Sequence, residues 1–74
     1  MALNYLIVRR QLREMKVGSC LTFDQGDEEM RAFTRTLRKI ISRTFDMYDL
    51  GHYETKVYKE TGQLRVWRLS EKLR

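Results

Sequence analysis

Between Met30 and Phe45 the apolar residues Met30, Phe33, Leu37, Ile40, Ile41 and Phe45 recur at steps of three and four. Wound as an α-helix they fill an arc of roughly 140°, wide enough to seat on a core. The spacing predicts a helix from about Glu28 to Phe45 or Met47. Asp27 is its expected N-cap, with Glu28 and Glu29 in the first turn, where the helix dipole favours negative charge.

Elsewhere the pattern is shorter. Tyr5, Val8, Leu12 and Met15 share one helical face, Asn4 is an available N-cap, and Gly18 breaks the chain soon after. A helix ending near Glu14 is the preferred reading, with a strand over Leu3 to Val8 as the alternative. Ser19 to Phe23 alternates like a strand, and Asp24-Gln25-Gly26-Asp27 is turn chemistry. After a connection pivoting on Gly51, Tyr53 to Lys59 and Leu64 to Leu69 read as a hairpin closed by Glu60-Thr61-Gly62. Ser70 to Arg74 reads as a frayed tail.

The order is α-β-α-β-β, or β-β-α-β-β if the first segment is extended. The expected class is α+β: one long amphipathic helix packed on a small antiparallel sheet, in a single domain over 1–74. A winged helix has a similar order. It would need a helix-turn-helix inside residues 27–46, a stretch without Gly, Pro or Asn.

Composition adds charge to this outline. The 42% apolar and 11% aromatic content suits a folded chain. At 74 residues the core is small, and dimerisation is a common way to add stability, so a homodimer is a candidate state. Ten of the fifteen cations are Arg, and the formal charge is +5. Arg binds phosphate and guanine bidentately, although many small basic proteins have no nucleic-acid role.

The distribution of that charge matters more than its sum. Arg31, Arg35, Arg38, Lys39 and Arg43 occupy the helix side opposite the apolar arc, and no acid interrupts Met30 to Phe45. Solvated helix faces usually mix signs, because opposite charges four residues apart stabilise the helix. The hairpin adds Lys56, Lys59, Arg65 and Arg68. Alternation puts Arg65, Trp67 and Leu69 on one side, and Leu64, Val66 and Arg68 on the other. Trp67 is expected in the core, the alternative being an exposed stacking platform. These nine cations form the expected nucleic-acid surface, with double-stranded DNA the first candidate and the hairpin tip a second reader.

No catalytic constellation is present. His52 stands alone in an expected loop, and Cys20 is expected as a small buried hydrophobe. One Cys excludes an internal disulfide and a cysteine-based zinc site. The acids from Asp24 to Glu29 lack calcium-loop spacing, and no phosphate loop with Lys-Ser/Thr occurs. No enzyme activity, cofactor or metal is expected. There is no run long enough to span a membrane, and Leu3 to Val8 is too short and wrongly flanked for a signal peptide, so the expected location is the cytoplasm.

Met15-Lys16-Val17-Gly18, a short apolar strand, one helix and Arg65-Val66-Trp67-Arg68 together resemble a pattern in short phage and prophage accessory proteins, over roughly Met15 to Arg68. The resemblance implies a mobile-element origin, a bacterial host cytoplasm and a small accessory or regulatory role. It carries over no active site. A phage-type module that binds and inhibits an acidic host protein is the alternative function, with the same cations steering association.

Overall fold

The computed structural model describes residues 4–70. Helix α1 covers Tyr5–Arg13, strand β1 Cys20–Asp24, helix α2 Met30–Met47, strand β2 His52–Tyr58 and strand β3 Gln63–Ser70. The expected tail from 71 onward lies outside the described residues, as does the start of the first segment.

The three strands form one antiparallel sheet in the order β1-β3-β2. Leu21 pairs with Val66 and Phe23 with Leu64, while Thr55 and Val57 meet the same two β3 residues from the other side. Because side chains alternate, this register gathers Leu21, Phe23, Tyr53, Val57, Leu64 and Val66 on one face. Both helices pack there. Val8, Leu12 and Met15 meet Phe33, Leu37, Ile40, Ile41 and Phe45 above Phe23, Leu64 and Val66. Phe45 also packs its ring on Tyr53, with centroids 4.5 Å apart.

The first segment is a helix. Asn4 caps it, its Oδ1 accepting from the Ile7 N–H at 3.2 Å. Val8, Leu12 and Met15 are buried and Tyr5 is half-buried, as the shared face requires. A strand at this place would have alternated these residues between two faces.

Helix α2 is one unbroken rod of 18 residues, so residues 27–46 hold no helix-turn-helix. It begins later than the charge pattern suggests. Its N-cap is Glu29, which makes no side-chain cap bond, and Asp27, Glu28 and Glu29 all precede the first turn. The cause is the preceding turn. Glu28 donates its N–H to the Gln25 carbonyl at 3.3 Å, and the Gln25 amide donates to the Glu28 carbonyl. Helical bonding starts with Phe33 donating to the Glu29 carbonyl. Gln25 in turn donates its N–H to the Gly62 carbonyl at 2.7 Å, pinning this turn to the hairpin tip. Gly62 has a φ of +68°, a conformation that favours glycine, and a Cβ there would also press on the end of the Gln25 side chain at 3.0 Å.

Three other expectations are corrected. Cys20 is exposed, because it alternates onto the sheet face that no helix covers. Trp67 lies on that same outer face, paired with Cys20 and Glu54, and is half-buried by its neighbours rather than placed in the core. His52 is the first residue of β2 rather than a loop residue, and its Nδ1 lies 3.0 Å from the Ser70 hydroxyl.

Candidate nucleic-acid interface

The core side of α2 is fixed by Phe33, Leu37, Ile40, Ile41 and Thr44, all buried. Arg31, Arg35, Arg38, Lys39 and Arg43 are therefore forced outward, and each is exposed. They do not stand on a plain convex surface. One flank of α2 overhangs strand β2, one of the sheet's two edge strands, and leaves a groove of about 1010 Å³.

The groove brings all five helix cations together with Lys59 from the hairpin. Met30, Thr34, Ser42 and Val57 complete its lining. No acidic side chain lines it, and none of the six cations forms an ion pair with another described residue. Arg10 pairs instead with Glu14 at 3.3 Å, on α1. Acids bound the stripe at its ends: Glu28 and Glu29 precede α2, and Asp46 follows Arg43 by one turn. Along α2 the positive stripe is thus flanked in sequence by acids that do not line the groove.

The other sequence-selected cations are placed elsewhere. Lys56 and Arg65 face each other across β2 and β3 on the outer sheet face. Both lie over the Tyr58 ring, at 5.4 Å and 4.8 Å from its centroid. Sharing one aromatic ring offsets the repulsion of two like charges held opposite each other. Arg68 has a structural task. Its Nε donates to the Leu50 carbonyl at 2.9 Å and its Nη1 to the Met15 carbonyl at 2.7 Å. It thereby ties the loop after α1 to the connection after α2.

Thr34, Ser42 and Val57 are groove residues that the sequence reading did not select. Thr34 and Ser42 lie between the apolar arc and the cations, a signal visible on a helical projection. Val57 joins them only because β2 is the edge strand beneath α2.

Among the described residues no His, Cys, Asp and Glu side chains gather into a metal-binding group, and no helix is long and apolar enough to cross a membrane. No protein-family model matches the chain, and no significant match was found among curated proteins or solved structures.

Proposed function

We propose that this protein is a small nucleic-acid-binding domain, with DNA as its ligand and an accessory or regulatory role, and that the groove between α2 and β2 is its binding surface. The observation that carries this reading is the convergence of six cations with no acid in the groove lining and no ion pair to them among the described residues. Keeping like charges together costs free energy in the isolated protein, and a bound polyanion offsets that cost. Phosphate neutralisation and release of condensed counterions supply the affinity.

An electrophoretic shift with random-sequence duplex DNA at two salt concentrations tests the reading. Binding should weaken steeply with salt. The triple variant Arg31→Gln, Arg35→Gln, Arg38→Gln should stay folded, since exposed substitutions each change stability by about 0.5 kcal/mol or less. It should bind more weakly and flatten the salt slope by about 0.9 per lost contact. If the triple variant binds as well as the parent, the groove is only a solvated surface. If the parent binds no nucleic acid at low salt, the reading fails, and an acidic protein becomes the partner to seek.

A further inference from the structure

We infer that the groove grips the sugar–phosphate backbone of one strand, with the bases pointing outward and their sequence unread; this deepens the nucleic-acid reading and rests on it. Three observations converge. Arg31, Arg35, Lys39 and Arg43 follow one another at intervals of four residues along α2. Each step rises about 6 Å along the helix axis, so the cations form an inclined ridge at regular spacing. A ridge of regularly spaced charges suits a polymer carrying one phosphate per nucleotide.

The second observation is the rest of the lining. It consists of two short hydroxyl residues, Thr34 and Ser42, and two aliphatic ones, Met30 and Val57. Hydroxyls suit phosphate oxygens and sugar, and aliphatic groups suit the sugar ring. The groove offers no Asn or Gln to pair with adenine and no aromatic ring on which a base could stack. Tyr58 and Trp67 alternate onto the opposite face of the sheet. Bases turned into the groove would find no aromatic platform and only Arg to meet guanine, whereas a backbone would find charge, hydroxyl and aliphatic partners together.

The third observation is size. An open groove of about 1010 Å³ has room for a few nucleotides of one strand. The gripped strand is then either a single strand or one backbone of a duplex, and in both the contacts are to phosphate and sugar.

Fluorescence anisotropy of the full chain at low salt, with labelled oligodeoxynucleotides of equal length, tests this. The probes are a mixed-sequence strand, a strand of scrambled sequence, a fully abasic strand and the duplex of the first. The expected result is affinity equal within about threefold for the first three, with measurable duplex binding. Arg35→Gln and Lys39→Gln should weaken the mixed and abasic strands by the same factor and flatten the single-strand salt slope by about 0.7 each. Lys56→Gln, on the other sheet face, should change neither. A loss of tenfold or more on removing the bases, or a tenfold preference between the two sequences, overturns the inference while leaving nucleic-acid binding intact. Failure to bind any of the four probes overturns both.

Discussion

At the scale of single residues, a half-buried and a buried polar side chain have opposite roles. Arg68 uses its guanidinium fork to hold two carbonyls from segments far apart in sequence, Met15 and Leu50. Lys presents a point charge and lacks that fork. Arg68→Ala should cost about 2–3 kcal/mol, the scale of charged hydrogen bonds whose acceptors are then left unpaired, and chemical denaturation would measure it. Thr44 is the reverse case. It is fully buried in α2, and its hydroxyl has no hydrogen-bond partner among the described residues. Thr44→Val keeps the shape and removes the unpaired group. It should stabilise the fold by about 1 kcal/mol, and a lower unfolding midpoint would show that the hydroxyl is satisfied after all.

At the scale of elements, α2 is well specified along its length and poorly specified at its start. Glu29 has the extended backbone of an N-cap, with φ −63° and ψ 135°, yet its longer side chain makes no cap bond. Glu29→Asp keeps the charge and shortens the side chain to one that caps well. The expected gain is roughly 0.5–1.5 kcal/mol in thermal or urea unfolding. The result also tests the helix boundary: if the helix began at Glu28 with Asp27 as its cap, the change would fall inside the first turn and gain nothing. Sequence periodicity located the body of α2 and its two faces, because every turn of a helix repeats the same geometric test. The cap was misplaced because it depends on how Gln25 is held by Gly62, a contact between distant segments.

At the scale of the whole molecule, charge and shape are coupled. The Cα radius of gyration is 12.0 Å, slightly above the value of about 11 Å expected for a compact chain of this length, and the extents are 40 × 22 × 16 Å. Two helices on one sheet face give a thin molecule in which the charged flank of α2 is a large share of the surface. Its self-repulsion should be visible without any ligand. Raising salt from ~0.01 M to ~0.15 M shortens the Debye length from about 30 Å to about 8 Å. The melting temperature of the free protein should therefore rise by a few degrees, and rise less in the Arg31, Arg35, Arg38 triple variant. A melting temperature that falls on adding salt would mean that attractive pairs dominate instead.

The sequence by itself determined what depends on neighbours along the chain. It separated Phe33, Leu37, Ile40 and Ile41 from Arg31, Arg35, Arg38 and Arg43, and it sorted Leu64 and Val66 from Arg65 and Trp67. Alternation cannot say which side of a sheet is covered, so Trp67 and Cys20 were assigned to a core that the helices build on the other face. The tertiary structure alone decided the strand order, which makes β2 an edge and sets Val57 and Lys59 beneath α2. It also divided the nine candidate cations: six in the groove, Lys56 and Arg65 over Tyr58, and Arg68 half-buried between two loop carbonyls. The physical reason is range. Periodicity records what each residue must do within its own element, whereas a groove exists only where two elements meet, and that meeting is set by strand pairing between segments far apart in the chain.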